Sequence, residues 1–364
     1  MFGELTDLLS KKFAVSYLLP VTLFVMVSYG IMSEFKAVPT IPALGDDTPE
    51  LVMPDNVTVI YLFMDDMETN TDEIEVFVMV TIIGFLLWGG GFMLLAMNRF
   101  ILRVMEGYGK YNPFRILDRL GEPSDRFQQN LSNQLPPWLK RFLPSALLTV
   151  GEKKRLEKLK QEIAVLGQQG DSRQRDRLLR KQRQEFPEKE DRLLPTSFGN
   201  AIRAFEEYSR LMYGLDAIPG WNHLQAVITP EFSQLVNDTK ASVDFWANVW
   251  FLSWFVLVEY IVIVGFRWYN PVDGWGVVSA WLIPWFIMIV LLFVYFCFFS
   301  AKNAAILWGY WVKASFDVFI PELRQKLELP KPATREAERE MWVKFSQAII
   351  YRHPASMPER DTEL

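Results

Sequence analysis

Four long runs of apolar residues stand out along an otherwise mixed pattern of polar and hydrophobic positions. They cover Phe13–Met32, Val76–Met97, Trp246–Phe266 and Val277–Phe299, and only the third contains a charge, at Glu259. As helices rising about 1.5 Å per residue, the runs reach about 30–35 Å, which matches a bilayer hydrocarbon core of about 30 Å. Helices are required because an open segment in lipid must satisfy its own backbone groups. The pattern predicts an all-α membrane protein with four transmembrane helices.

Charge is distributed unevenly between the segments that join these runs. Residues 33–75 hold eleven acidic residues and one base, whereas residues 98–245 hold 24 Lys or Arg and 19 Asp or Glu. Basic residues near span ends stay in the cytoplasm, so both termini and residues 98–245 are predicted to be cytoplasmic. The expected domains are spans 1 and 2 with an acidic outer loop at 33–75 (1–97), a cytoplasmic helical domain (98–245), spans 3 and 4 (246–299), and cytoplasmic C-terminal helices with a tail (300–364).

A helical hairpin is predicted between residues 152 and 184. Leu156, Leu159, Ile163 and Leu166 follow a 3-4-3 spacing typical of one packed helix face, and GQQGDS at 167–172 indicates a turn. Two basic arms side by side could bind anionic lipid, nucleic acid or a nucleotide ligand. The alternative interpretation is a solvated surface of mixed charge. The residues assigned to contact with an anionic ligand or lipid are Lys153, Lys154, Arg155, Arg173, Arg175, Arg177, Arg180, Lys181 and Arg183.

Capping signals predict further helices. Thr196 or Ser197 can cap a helix that Gly214 closes. The triplet Thr229-Pro230-Glu231 is a strong helix start, and no break follows until Arg267. The core-facing candidates of the helix after Thr196 are Ile202, Phe205, Leu211 and Met212.

The helices of the second and fourth spans are predicted to continue beyond the membrane. The helix of the second span continues through Asn98–Tyr108, and that of the fourth through Ala301–Phe319, ending before Pro321. The proline-rich segment 136–148 is expected to be a surface-lying segment or a packed loop.

The segment LPTSFGNAIRAFEEYSRLMYGLDAI at 194–218, the stretch from Asn98 to Gly109, and Trp311–Leu329 carry a resemblance. They are similar to bacterial four-span inner-membrane proteins with a cytoplasmic helical domain. The resemblance covers about residues 76–345. It implies a multi-pass protein of the bacterial inner membrane and brings no catalytic residue with it.

Glu259 is the leading candidate for a functional residue within a span. A carboxylate in a span costs about 2.5–3.5 kcal/mol on insertion scales, so it usually faces the bundle interior or water. Glu259 could line a pore or ion path. The alternative is a hydrogen-bonded structural carboxyl, satisfied for instance by Tyr17, Thr81 or Tyr295.

Three consecutive glycines in the second span, Gly89, Gly90 and Gly91, could form a gating hinge or permit tight helix packing. The predicted outer loop concentrates acidic residues that could attract cations to an entrance. These residues are Asp46, Asp47, Asp65, Asp66 and Glu68.

The composition argues against catalysis. The chain has one cysteine, Cys297, and two histidines far apart, His223 and His353, so a His/Cys metal site or a Ser-His-Asp triad is not indicated. The phosphate-loop, dinucleotide-loop and HExxH motifs are all missing from the sequence. We predict no enzymatic activity, no cofactor, no metal and no specific nucleic-acid binding.

Two classes of function remain. The first is an oligomeric membrane channel or pore-forming effector gated through its cytoplasmic helical domain, in one version a bacterial antiviral effector opened by a nucleotide. The second is a non-conducting membrane scaffold or accessory protein that docks a cytoplasmic partner. A transporter is a weaker third, because the two pairs of spans have outer loops of different length. The expected partners are the lipid bilayer, further copies of the chain, and an anionic ligand or cytoplasmic protein.

Overall fold

The computed structural model describes residues 11–36, 73–109, 112, 151–269, 277–352 and 357–358. The described part of the chain is 85% helical and contains no strand, and four of its helices are long and apolar enough to cross a membrane. For the described residues, the prediction of an all-helical chain with four helices able to cross a membrane is thereby confirmed, and the cytoplasmic domain and the topology stay predictions. The five acidic residues of the predicted outer loop and the segment 136–148 lie outside the described residues.

The first two apolar helices come early in the chain. Helix α1 consists of three consecutive segments: an α-helical turn at Lys11–Phe13, a π-helical turn at Ala14–Leu18, and an α-helix at Leu19–Lys36. Helix α2 spans Glu73–Glu106. It ends two residues before the predicted boundary, because Gly107 takes a left-handed φ of 88°, a conformation that closes helices and favours glycine.

A series of shorter helices follows. These are α3 (Glu152–Gln169), α4 (Ser172–Glu185), α5 (Ser197–Glu206), α6 (Tyr208–Met212), α7 (Ala217–Leu224) and, at the C-terminal end, α10 (Arg335–Tyr351). A 3-10 turn lies at Glu190–Arg192. The Thr196 hydroxyl caps α5 by accepting from the Gly199 amide at 3.0 Å, as one of the two predicted caps.

The remaining two apolar helices are much longer than a bilayer is thick. Helix α8 has 40 residues, Pro230–Tyr269, and helix α9 has 50, Val277–Lys326. At about 1.5 Å per residue they reach about 60 and 75 Å, so a large part of each extends beyond a hydrocarbon core of about 30 Å. The predicted start of α8 at Pro230 is confirmed.

The predicted end of α9 before Pro321 is wrong. The helix continues for another turn and a half to Lys326. Proline has a φ compatible with a helix and removes only one donor, and the burial of Ile320 and Leu323 supports the continuation. Tertiary packing here overrides the local signal.

The chain divides into two compact units. The first comprises residues 1–98 and 248–295, and the second comprises residues 99–247 and 296–364. In the first unit, Ile31 of α1 packs with Val256 and Tyr260 of α8, and apolar residues of α9 cover this cluster, among them Phe286. The ring centroids of Tyr260 and Phe286 are 4.0 Å apart.

The second unit has a dense aromatic core, in which Trp342, Phe198, Phe316 and Phe345 are almost fully buried. The hairpin of α3 and α4 forms a smaller cluster around Leu156, Leu159 and Phe186, joined by Ile163 and Leu178, which confirms the predicted hairpin. Ile202 and Phe205 are buried as predicted. Met212 is 58% exposed, so its prediction as a core residue is wrong, because the short α6 turns that side chain outward.

Candidate functional site

Two polar contacts join α1 and α8 inside the first unit. At one of them, the Asn248 side-chain amide donates to the Ser16 carbonyl at 2.7 Å, and both residues are fully buried. Ser16 lies in the π-helical turn of α1, where the Leu19 amide bonds back to the Ala14 carbonyl. A π-turn shifts the backbone hydrogen-bonding pattern and occurs often at functional sites. The side-chain oxygen of Asn248 has no hydrogen-bond partner among the described residues.

The second contact involves the carboxylate predicted to lie in a pore. The Ser28 hydroxyl of α1 donates to Oε2 of Glu259 at 2.7 Å, and Glu259 is half-buried. Glu259 therefore faces α1 of its own chain, and the assignment of this residue to an ion path stays a prediction. Tyr17, Thr81 and Tyr295 were the expected partners, and the observed one is Ser28.

Asn248 and Glu259 lie on the same face of α8. They are separated by about three helical turns, or about 16 Å along the helix. Ser253, between them, is buried and donates to the carbonyl of Val249 at 2.7 Å. We call the two contacts, Ser16–Asn248 and Ser28–Glu259, the polar seam. Polar groups inside a span are costly and usually functional or structurally paired.

The glycines of the second span pack against the helix that carries this seam. A Cβ at Gly90 would lie 2.8 Å from Cγ1 of Val21, and one at Gly91 would lie 3.2 Å from Cζ of Phe13, whereas one at Gly89 would meet nothing within 4 Å. Two of the three glycines thus permit close approach of α2 to α1. Their role as a hinge stays a prediction.

A buried ion-pair network lies in the second unit. Glu185 of α4 accepts from Lys302 of α9 at 3.1 Å and from Arg155 of α3. The side chains of Lys302 and Glu185 are only 8% and 9% exposed. The network continues through Glu152, which lies 3.3 Å from Arg155 and accepts from Asn200 of α5 at 3.2 Å. Four helices are therefore joined by side chains that are distant in sequence.

The residues predicted to bind an anionic ligand divide into two groups. Arg155 is taken up by the buried network. The others are exposed on the hairpin surface, and all six bases of α4 belong to this group. Lys160, a neighbouring base of α3, pairs with Glu190. The hairpin thus presents a basic face, and binding of a ligand to it stays a prediction.

Two features of the second unit were not expected from the sequence. One is the Lys302–Glu185 pair, whose only sequence signal is that Lys302 is the first charged residue after the uncharged stretch Val277–Ala301. The other is a double hydrogen bond to Asp317, which accepts from the hydroxyls of Tyr208 and Tyr213 at 2.9 and 2.7 Å. Burial and the neighbouring Asp317 carboxylate raise the pKa of Tyr208 to about 12, and they raise the pKa of Tyr213 as well. Both hydroxyls consequently stay protonated and can donate.

Burial also shifts the pKa of two carboxyls of the second unit, Glu152 and Glu206. It raises the pKa of Glu152, against the opposing effects of Arg155 and Asn200. It raises the pKa of Glu206 as well, where Arg203 opposes the shift while the carboxylates of Glu207 and Asp216 add to it.

In the described part of the chain, no group of three or more His, Cys, Asp or Glu could hold a metal ion. No protein family, curated protein or solved structure matches the chain.

Proposed function

We propose that this protein is an oligomeric membrane channel that conducts protons or small cations and is gated through its cytoplasmic helical domain. The observation that supports the proposal most is the polar seam, which combines a π-turn carbonyl, a buried amide with an unpartnered oxygen, and a carboxylate on two neighbouring apolar helices. Lipid-facing helices gain nothing from such groups, and each costs free energy to insert. A seam that serves transport explains why α1 and α8 retain them.

The seam has the chemistry that a cation path requires. A carboxylate, a side-chain carbonyl and a backbone carbonyl are oxygen ligands that can replace part of the hydration shell of a cation, or can exchange protons with water. The carboxylate of Glu259 and the side-chain oxygen of Asn248 supply the negative charge and the partial negative charge that a cation would contact. In this proposal, movement of α2 at Gly90 and Gly91 changes the packing against α1 and opens or closes the path.

The test is ion flux through purified protein in liposomes, with the oligomeric mass measured on the same sample. We expect flux from the wild type, and loss or altered selectivity in Glu259→Gln and Asn248→Leu. Thr22→Val is the matched control, because the Thr22 hydroxyl donates to the Leu18 carbonyl of its own helix at 3.0 Å, whereas each seam contact joins two helices. Unchanged flux in both seam variants would contradict the proposed path.

Gating is tested in the same liposomes by adding cytosolic extract and nucleotides, which also tests the version in which a bacterial antiviral effector is opened by a nucleotide. An intact oligomer that stays silent under all these conditions would contradict the channel.

A second candidate is a membrane scaffold that conducts nothing and docks an acidic partner. The exposed basic face of α4 favours it, because six bases on one short helix leave a surplus of positive charge outside the buried network. A photocrosslinking residue at Arg177 in intact cells tests this candidate. A defined crosslinked protein that disappears on charge reversal at Arg173 and Arg180, together with silent liposomes, would favour the scaffold. Absence of any such product would contradict it.

A further inference from the structure

Helix α9 keeps exposed apolar side chains beyond its first charged residue. Its first charged residue is Lys302, and the uncharged stretch before it, Val277–Ala301, reaches about 37 Å, which is enough to cross a hydrocarbon core. After Lys302 the helix continues to Lys326. Its inner face is buried in the second unit, whereas several positions of its outer face expose large apolar side chains.

Contacts within the second unit show that this part of α9 runs beside polar helices. Lys302 pairs with Glu185, and the Tyr310 hydroxyl accepts from the Gln184 side chain, so both residues lie beside α4. Helix α4 carries its six exposed bases and the exposed Asp176 in addition to the buried Glu185, and such a helix does not enter hydrocarbon. Lipid tails therefore do not cover α9 at this level.

Exposed and half-exposed residues of α9 form a straight stripe. They recur at intervals of three, four and four residues, and at about 100° per residue they stay within an arc of about 100°. An eleven-residue repeat corresponds to about 3.67 residues per turn, close to the period of the helix itself, so the stripe drifts little around the helix. The α9 stripe consists of Phe296, Phe299, Asn303, Leu307, Tyr310, Ala314, Val318 and Pro321.

The members of the α9 stripe are mostly large and mostly apolar. Leu307 is 52% exposed and Val318 is 53% exposed. The opposite positions of α9 are occupied by the core, where a Cβ at Gly309 would lie 2.5 Å from Cδ1 of Phe205. Two exposed carboxylates lie beside the stripe, Glu322 and Asp317, and Asp317 accepts from two tyrosine hydroxyls. The part of this face beyond Lys302 is outside lipid and therefore needs another cover.

We infer that the α9 stripe is the interface between copies of this chain, which pack in parallel along it. The inference rests on the oligomer in the proposed function and names its contact surface. Copies inserted in one membrane have the same orientation, so each presents the same stripe at the same depth. A two-fold axis along the membrane normal and beside the stripe brings each stripe residue close to its own copy, in register, without a further alignment step.

The two residues that interrupt the run of large apolar side chains fit this arrangement. Asn303 carries both a donor and an acceptor, so its side chain can pair with that of its copy, and a buried Asn of this kind specifies register in packed helices. Ala314 occupies the equivalent position one repeat later. A small residue there permits close approach of the two helices.

The test is disulfide crosslinking of the full chain in its native membrane. With Cys297, the only native cysteine, changed to Ala, single cysteines are introduced by Leu307→Cys, Ala314→Cys and Val318→Cys. Matched controls are Val165→Cys and Leu235→Cys, which replace apolar side chains of similar exposure, 49% and 44%, on α3 and α8 of the second unit. We expect dimers to form in oxidant at the stripe positions several-fold faster than at the controls. Equal rates at all five positions, or no dimers at the stripe, would overturn the inference.

A second measurement guards against variants that fail to fold. Leu307→Lys and Leu235→Lys are compared by oligomeric mass in nanodiscs, and only the stripe variant is expected to lose mass. Stripe crosslinking in a protein without flux would contradict conduction while leaving the interface standing. Flux with Glu259 dependence but without stripe crosslinking would contradict the interface alone.

Discussion

Glu185 is the residue whose replacement most directly tests the packing of the second unit, because two cations depend on it. The change Glu185→Gln keeps the size of the side chain and removes its charge. Lys302 is almost fully buried and loses its ion pair, whereas Arg155 is about a third exposed and keeps its contact with Glu152 at 3.3 Å. The penalty should therefore arise mainly at Lys302.

The magnitude follows from the cost of a buried charge that has lost its partner. Removing one member of a buried ion pair typically costs about 3–5 kcal/mol. The amide that replaces the carboxylate would still offer one hydrogen-bond acceptor to Lys302, so we expect the low end, about 3 kcal/mol. Because every 1.4 kcal/mol is a factor of ten, the second unit should open about a hundredfold more often.

The native thiol provides the assay. Cys297 is the single cysteine of the chain and is fully buried in the second unit. The rate at which a maleimide labels it in the detergent-solubilised protein reports how often that unit opens. Glu340→Gln is the control, since it breaks an ion pair with Lys344 that is exposed on both sides and should leave the rate unchanged.

A paired variant distinguishes an unpaired charge from general damage. Replacing both members of a buried pair by apolar residues is often close to neutral. The double change Glu185→Leu with Lys302→Met should therefore label more slowly than Glu185→Gln alone. Labelling of Glu185→Gln at the wild-type rate, or faster labelling of the double variant, would refute the reasoning.

Three further predictions concern packing, pH and register. A Cβ at Gly199 would clash with the carbonyl oxygen of Glu106, so Gly199→Ala should destabilise the second unit by about 1–3 kcal/mol. At Gly167, the nearest atom to an added Cβ is 3.8 Å away, so Gly167→Ala should stabilise α3 by about 0.8–1 kcal/mol. The rate of Cys297 labelling compares the two variants. The raised pKa of Glu206 means that the folded chain binds more protons than the unfolded chain just above the usual carboxyl pKa, so stability falls as pH rises through that window. Glu206→Gln should reduce the fall in thermal midpoint as the pH rises above the usual carboxyl pKa, and an unaltered slope would contradict this. Asn303→Leu should keep the oligomer but spread crosslinking of mixed cysteine pairs over neighbouring registers, whereas unchanged pairing would show that Asn303 does not set register.

The elements that the sequence predicted well are those with local signals. A span is recognisable from a run of about 20 apolar residues, and the hairpin of α3 and α4 from a 3-4-3 spacing followed by a glycine-rich turn. The helix starts at Thr196 and Pro230 were predictable for the same reason, because a cap acts within three residues of the chain. These predictions needed no knowledge of distant contacts.

The misplaced or missing features depend on residues far apart in the sequence. Nothing near Glu185 indicates that Lys302 will lie beside it. The π-turn around Ser16 has no sequence signature, so the link to Asn248 could not be anticipated. Pro321 looked like a helix end because its effect is local, whereas the burial of Leu323 that carries α9 onward is not.

The two proposals rest on opposite departures from the usual distribution of polarity. Within the apolar helices, the polar seam places a carboxylate and an unpartnered amide oxygen where lipid would favour hydrocarbon. Beyond the first charge of α9, the part of the α9 stripe from Asn303 onward exposes Leu307 and Val318 beside a charged helix, where water would favour polar groups. Consistency between local environment and residue type is the normal state of a folded chain, and departures concentrate at functional surfaces. A path for ions accounts for the first departure and a second copy of the chain for the second. Neither explanation can substitute for the other, because a seam buried within one chain creates no need for a partner, and an interface outside the membrane creates no need for Glu259.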